Sequence, residues 1–388
     1  MKIKGSPATV KARKLAWVQG IIRYFATMFR GRTMTQRTTL AAFRRSIPVF
    51  ALSVALFACS DGGSNNNNNE NIEGNSLLLN FTSDYTTGEL RWMHPDSANL
   101  SNGALSFNQN SYLSAAGGNI FVLENNPGTL SCILPQSIIG NEIKQERLSA
   151  EFPYEATAIG NKGYIALNDA DYVQVFNVNT CTPSEKIDLP ISEANASTIK
   201  ASGDTLLLTL QRLENWVPTK PGLLVLIKTS TGKLDTLQLK LNNPNSSLLN
   251  RGTLIVSSSN WGAGDDGIEI VDLANGTSEI LADNAKLGGG VSSIALDEAN
   301  QILYASVYAD WGDSPVKPIN LITKSVGNAL PDISDASGGL VFDKARKKLF
   351  VGDRSSGLKV YNPAINKTTI IGNQDEGLPP SSLAIVNF

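Results

Sequence analysis

One hairpin, written again and again at nearly constant spacing, constrains this chain more than anything else in it. Val291 to Tyr308, VSSIALDEANQILYASVY, reads as a short strand, a tight polar turn and a second, longer apolar strand. Related hairpins are ATAIGNKGYIALND (Ala156 to Asp169), TIKASGDTLLLTLQ (Thr198 to Gln211), SLLNRGTLIVSSS (Ser247 to Ser259) and GLVFDKARKKLFVGD (Gly339 to Asp353), with a weaker copy in YLSAAGGNIFVLEN (Tyr112 to Asn125). Marking the second strands at Leu78, Ile120, Tyr164, Leu206, Leu254, Leu303 and Leu349 gives spacings of 42, 44, 42, 48, 49 and 46 residues. A period of roughly 40–50 residues with four strands per unit is the signature of radially repeated sheets.

Each hairpin is followed by two further strands, as in GIEIVDLANGTSEIL and GLKVYNPAINKTTII, whose turns carry Asn-Gly or Asn-Pro. Four strands, a to d, make one blade. The expected fold is all-β, a seven-bladed β-propeller of four-stranded antiparallel blades spanning residues 76–388. Ser381-Ser382-Leu383-Ala384-Ile385 copies Ser292-Ser293-Ile294-Ala295-Leu296, an a strand, whereas the first unit begins directly on a b-like strand. The C-terminal strand is therefore expected to complete blade 1 and close the ring, which removes open sheet edges.

Residues 1–58 are different in kind: they hold 11 Lys or Arg and no Asp or Glu. Ile47 to Ala58, IPVFALSVALFA, follows Arg44-Arg45 and is too short to span a bilayer, which fits the apolar region of a signal peptide. It ends in Leu56-Phe57-Ala58-Cys59, which resembles the bacterial lipobox, and Met34 would give a signal of ordinary length. That resemblance implies cleavage before Cys59 and lipid on Cys59, hence a membrane partner and a place at the cell envelope, with the outer membrane expected. Residues 59–75, CSDGGSNNNNNENIEGN, then form the lipidated cysteine and an Asn-rich tether. About 16 residues of such flexible chain reach roughly 20–25 Å.

Removing the leader changes the charge. The whole chain has 33 basic and 35 acidic residues; without the leader it has 33 − 11 = 22 basic against 35 acidic, a net charge of −13. That sum argues against nucleic acid and against a basic lipid-binding patch. Cys132 and Cys181 remain in neighbouring units, and an exported compartment permits a disulfide. Cys132 reads as the middle of strand c and Cys181 as a c–d turn, so the pair is either bridged or two separate thiols.

Successive turns of a meander alternate between the two faces of the ring, so b–c loops and d–a connections share one face. Three long b–c loops, QRLENWVPTKPG, SNWGAGDDG and ADWGDSPVK, carry Asn215-Trp216, Asn260-Trp261 and Asp310-Trp311, three of the four tryptophans after the leader. An indole offers a flat apolar surface and one donor, suited to a sugar, a corrin or another planar ligand. Asp265, Asp266, Asp310 and Asp313 lie beside these indoles in sequence and could orient hydroxyls or amides; they lack the spacing of a calcium loop. The alternative is that each indole caps the groove between two blades. His94 is the one histidine, which excludes a multi-histidine metal site, and no phosphate-binding glycine loop is present. No metal or cofactor is expected.

The paired strands ILYASVY and KKLFVGD, followed by LKVYNP, resemble the YVTN-type, lactonase-like seven-bladed propellers of exported bacterial proteins, although Tyr-Val-Thr-Asn itself is absent. The resemblance implies either a lactonase using acidic and histidine side chains or a lipid-anchored propeller that captures small molecules. The lipobox and the Trp-bearing loops fit the second. The expected function is a non-catalytic envelope lipoprotein that binds a small molecule, a carbohydrate or a partner protein through its b–c face. The alternatives are a protein–protein scaffold and a carbohydrate or lactone hydrolase.

Overall fold

The computed structural model describes residues 76–83, 87–97, 100–101, 105–109, 111–125, 128–138, 143–149, 152–259, 266–371 and 379–387. Cys59, the leader and the tether lie outside them. The described strands form seven antiparallel sheets, six with four strands and one with three. Their innermost strands, Ser111–Ala116, Pro153–Ile159, Ala196–Ser202, Pro244–Asn250, Gly290–Asp297, Leu340–Asp343 and Pro380–Asn387, touch one another in a closed circle. This is a seven-bladed β-propeller.

Closure is made as the sequence implies. Strand a of blade 1 is Pro380–Asn387 and pairs antiparallel with strand b, Ser76–Ser83, from Ser76 opposite Asn387 to Thr82 opposite Pro380. Strands c, Thr87–Met93, and d, Leu105–Asn108, complete that sheet. Both closing strands belong to residues 76–388, so the ring is closed by its own segments.

The pattern that made the repeat visible follows from this geometry. A strand b lies mid-sheet with a blade on either side, so it is buried on both faces and reads as a continuous apolar run. Thr205–Leu210, TLLLTL, and Asn119–Glu124, NIFVLE, are buried along nearly their whole length. Outer strands such as Thr182–Asp188, TPSEKID, have one neighbour and are polar. The apolar side chains of the described residues gather into seven clusters, one between each pair of neighbouring blades. Polar groups cross the same seams: buried Glu269 of blade 5 accepts from Lys240 N at 2.9 Å and Leu241 N at 3.2 Å of blade 4. Burial raises the pKa of that carboxyl, and these hydrogen bonds oppose the rise.

Blade 6 departs from the four-strand pattern. Its regular strands are Gly290–Asp297, Ile302–Tyr308 and Val316–Asn320. The outer position is taken by irregular chain that bonds back through Gly327 N to Pro318 O and Leu330 N to Val316 O, each at 2.8 Å. Pro331, which lacks an N–H, follows directly and blocks a longer ladder.

Cys132 and Cys181 are joined in a disulfide, with Cα atoms 5.7 Å apart. Cys132 is not mid-strand: it is the next-to-last residue of Thr129–Ile133, at the c–d end. The c–d turn of blade 3 therefore meets it at the same height. Cys181 also holds a left-handed conformation, φ 55°, at the turn position that blade 5 gives to Gly276 and blade 4 to Gly232. Bridging residues separated by 49 positions removes loop entropy from the unfolded chain, about 4 kcal/mol in the chain-entropy model. Replacing both by serine should lower stability in urea by roughly 2–4 kcal/mol. Addition of a reductant should cost the parent protein a similar amount and leave the double variant unchanged.

Candidate functional site

The b–c loop of blade 4 is a stiff projection. Glu214 and Val217 exchange backbone hydrogen bonds, N to O at 2.9 and 3.0 Å, around the two-residue tip Asn215-Trp216. Both tip residues have positive φ, 50° and 67°, as a type I′ turn requires. Asparagine takes that conformation readily; tryptophan does so at a cost of about 1–2 kcal/mol. The tip is held by a Glu214–Lys220 ion pair, which keeps the Glu214 carboxyl below its ordinary range. Its base is tied down by Leu213 N donating to Asn195 Oδ1 at 2.9 Å and Asn168 Nδ2 donating to Gln211 Oε1 at 2.9 Å. The indole of Trp216 meets the ring of Phe152 edge-on, centroids 6.0 Å apart. Phe152 enters blade 3 with a positive φ of its own, 61°.

The b–c loop of blade 6 repeats the device with a different turn. Asp310 and Asp313 exchange hydrogen bonds of 3.2 and 3.0 Å around Trp311-Gly312, and here the glycine carries the positive φ, 73°. Trp311 thus occupies the first tip position and Trp216 the second. Asp310 Oδ1 accepts from the backbone N of Trp311 at 2.8 Å. Its carboxylate therefore braces its own turn. Trp311 is 74% exposed, Val217 54% and Trp216 37%.

Asn260, Trp261 and Asp265 of blade 5 lie outside the described residues. Asp266 is buried and accepts from Asn284 Nδ2 at 2.9 Å, so it is part of the blade and not of an exposed cluster. Of the candidate residues, Asn215, Trp216, Asp310, Trp311 and Asp313 share one face of the ring, in blades 4 and 6. Phe152 and Val217 join them there and were not singled out by sequence. Phe152 carries no signal beyond preceding a proline. Val217 is the residue directly after a tryptophan already marked.

The inner strands open on the same face. Five of them carry a one-residue bulge within their first two or three residues, at Tyr154, Ser197, Asn245, Ser292 and Ser381. Most of the bulged side chains turn back onto strand b of their own blade. Ser197 Oγ meets Thr209 Oγ1 at 2.9 Å, Asn245 Oδ1 accepts from Ser257 Oγ at 2.8 Å, and Ser292 Oγ donates to Ser306 Oγ at 3.0 Å. Tyr154 instead stacks on Tyr112 of blade 2, centroids 4.6 Å apart. The inner mouth is thus a braced polar belt with one aromatic pair.

Blade 7 holds a buried charged pair centred on Asp353. The aspartate is fully buried and 2.9 Å from Lys359 Nζ. Burial pushes its carboxyl up, but hydrogen bonds from Ser355, Ser334 N and Lys359 outweigh that and hold it well below the ordinary carboxylate range. Both oxygens are occupied, Oδ1 by Ser355 N at 3.0 Å and Oδ2 by Ser334 N at 3.0 Å. Such a group anchors loops and has no lone pair left for a substrate. His94 lies on the opposite face, at the seam of blades 7 and 1, with Nε2 3.4 Å from Arg346 Nη2 and Nδ1 accepting from Asp96 N at 3.3 Å. Among the described residues no three His, Cys, Asp or Glu side chains gather as a metal site.

No protein-family model matches the chain, and no curated sequence does. Solved structures do. A candidate 6-phosphogluconolactonase from Bacteroides fragilis NCTC 9343 is 14% identical, with a TM-score of 0.61 over 82% of this chain and 99% of that one. A functionally unknown protein from Desulfotomaculum acetoxidans DSM 771 is 13% identical, with a TM-score of 0.57 over 80% and 99%. Hydrazine synthase of Kuenenia stuttgartiensis is 13% identical, with a TM-score of 0.56 over 76% and 95%. At such identities the likeness shows the propeller fold and nothing about chemistry.

Two measurements bear on what these groups do. Trp216→Gly places the residue that prefers positive φ at the strained tip. Equilibrium unfolding should show a change within about 1 kcal/mol, the relief of strain offsetting the lost ring contact. A loss of more than about 2 kcal/mol would mark the indole as an inter-blade cap. Asp353→Asn tests the buried centre. A carboxyl whose pKa is lowered on folding contributes stability that is present at neutral pH and is lost as pH falls below about 4. The stability gap between parent and Asp353→Asn should therefore be widest near neutrality and shrink through that window in acid unfolding curves.

Proposed function

We propose that this chain is a lipid-anchored protein of the bacterial envelope whose non-catalytic propeller recognises a partner macromolecule through its b–c loop face. The carrying observation is Trp311, an indole 74% exposed at the tip of a turn braced by its own aspartate. Trp216 and Val217 accompany it on the same face. The Trp311 indole leaves most of its apolar surface in water, where the blade beneath it gains little. The turn that carries it is already braced, and an indole has few rotatable bonds, so it offers contact area at low entropic cost. Projecting tips suit a protein surface better than a small ligand, which needs a concave site. A groove of about 430 Å³ lined by Asp332, Lys359, Thr368, Thr369 and Ile370 borders blade 7 and contains none of these indoles.

A carbohydrate is the second reading, favoured by the flat indoles and by the stacked Tyr112–Tyr154 pair at the axial mouth. The lactone or glycoside hydrolase suggested by the YVTN-type resemblance is less well supported. Its histidine would have to be His94, which lies on the other face against Arg346. The lipobox-like Leu56 to Cys59 and the tether supply the anchor and the envelope location.

A photo-crosslinking residue in place of Trp311 should capture a discrete protein in the producing cell, while the same residue at exposed Ile280 on an outer strand should not. Intrinsic fluorescence of residues 60–388, titrated with oligosaccharides, cobalamin and haem, tests the second reading. A saturable change lost in a folded Trp216→Ala/Trp311→Ala variant would name the ligand class. No adduct at 311 and no saturable change would remove this face as a binding surface. Mass spectrometry of Cys59 in the full chain should show a lipid adduct; a free thiol would remove the anchor.

A further inference from the structure

The opposite face carries a second surface. Strand Ser76–Ser83 starts at the a–b/c–d end of blade 1, so whatever precedes Ser76 joins the ring on the face away from Trp216 and Trp311. On that face, the c–d turns of blades 6 and 7 carry the exposed aliphatic side chains Ile322 and Ile365, and Leu134 is exposed where strand c of blade 2 ends. Ile322 is 75% exposed, more than any other exposed large hydrophobic residue described. Its turn is held open by Asn320 Oδ1, which accepts from Ile322 N at 2.9 Å and Thr323 N at 2.8 Å. The turn of Ile365 is braced in the same way by Asn362 Oδ1, accepting from Ala364 N at 3.0 Å. These side chains are presented to solvent by rigid backbone.

On the same face lies the a–b turn of blade 7, Lys344-Ala345-Arg346-Lys347-Lys348, four basic residues in five. Arg346 Nη1 donates to Ser76 Oγ at 3.2 Å, which sets this run against the start of the ring. Lys324 and Lys367 follow the two isoleucine tips by two residues each. Some of this charge is met locally: Lys344 pairs with Glu298 at 2.6 Å, Lys324 with Glu279 at 2.7 Å, and Arg346 with Asp96 at 2.7 Å and Asp343 at 3.0 Å. Lys347 is exposed and makes no ion pair among the described residues. A net acidic domain has thus placed a basic run and its protruding aliphatics on the face where its N-terminal segment joins.

We propose that this face docks on an anionic lipid bilayer, the isoleucine tips entering the headgroup region while the basic turn meets lipid phosphates. The choice of a bilayer as occupant rests on the lipid-anchor reading above. A tether of roughly 20–25 Å holds the domain within reach of the surface, and the charge and apolar tips then select which face turns toward it.

The test is flotation of the chain from Ser60 onward, which lacks Cys59 and hence any lipid, with phosphatidylcholine vesicles made with and without phosphatidylglycerol. The parent should float with the anionic vesicles, less so as salt is added. Ile322→Ser/Ile365→Ser should weaken binding by about tenfold or more. Lys344→Glu/Lys347→Glu should abolish the preference for anionic vesicles. Trp216→Ala/Trp311→Ala should float as the parent does. Circular dichroism confirms that each variant is folded, and all of these positions are exposed turn residues. A folded parent that does not float, as expected if a protein covers this face, overturns the proposal; so does flotation unchanged in both tether-face variants or lost in the Trp variant. Because no lipid is attached, this outcome is independent of whether Cys59 is acylated, which mass spectrometry of the full chain decides separately.

Discussion

No blade of this protein has a core of its own. Each apolar cluster is shared by two neighbours, and the last of them, with Leu78, Met93 and Leu383 from blade 1 and Phe350 and Leu358 from blade 7, exists only when the ring is shut. The pairing of Pro380–Asn387 with Ser76–Ser83 is therefore the interaction on which the rest depends. Left unpaired, the closing strands would expose two sheet edges and two faces lined with leucine, isoleucine and phenylalanine. Side chains reinforce the seam: Arg346 reaches Asp96 and Ser76 across it, and Ser381 Oγ donates to Phe81 O within blade 1.

The same division of the core explains which parts could be read from sequence. Strands b are apolar throughout because both their faces are covered, and the seven copies stand out against polar turns. The closing strand was legible because Ser381 to Ile385 repeats an inner strand at the wrong end of the chain. The outer strand of blade 6 was not, since its loss depends on Pro331 and on irregular bonds that no periodicity shows. The bulges at Tyr154, Ser197, Asn245, Ser292 and Ser381 were invisible for a similar reason. One extra residue in a strand leaves the composition unchanged and shifts only the register. The cysteine pair was left open because strand length set the apparent height of Cys132. The strand ends one residue later, at Ile133.

The candidate site was legible in residue type and only partly in use. Asn215-Trp216 and Asp310-Trp311 do tip b–c hairpins on one face, and two of the four aspartates named beside the indoles have structural partners. Asp310 braces its turn and Asp266 is buried in its blade. Phe152 went unread because nothing in local sequence signals contact with a loop 64 positions away, 216 − 152. Both faces hold residues other than glycine or asparagine at positive φ, Cys181 and Lys324 among them; on this face two of them are aromatic, Trp216 and Phe152. The Asn275-Gly276 turn on the other face places its positive φ on a glycine, with Asp272 Oδ1 accepting from Ala274 N at 2.9 Å.

The two ends of the ring therefore differ in chemistry as well as position. One presents rigid aromatics; the other gathers four basic residues in five beside aliphatic tips. Sequence totals conceal this, because 22 basic against 35 acidic residues after the leader describe a uniformly repelled domain. An anionic surface responds to distance and not to the sum. Charges beyond about 8–10 Å are largely screened at physiological salt, so only the face in contact is weighed. Around Ser76, Lys344 and Arg346 are met by Glu298, Asp96 and Asp343, and Lys347 is the exposed cation of this turn that makes no ion pair among the described residues. Arg346 sets the run Lys344 to Lys348 against Ser76, on the face away from the indoles, so any preference for an anionic surface is carried by that turn and its aliphatic neighbours and not by the net charge of the domain.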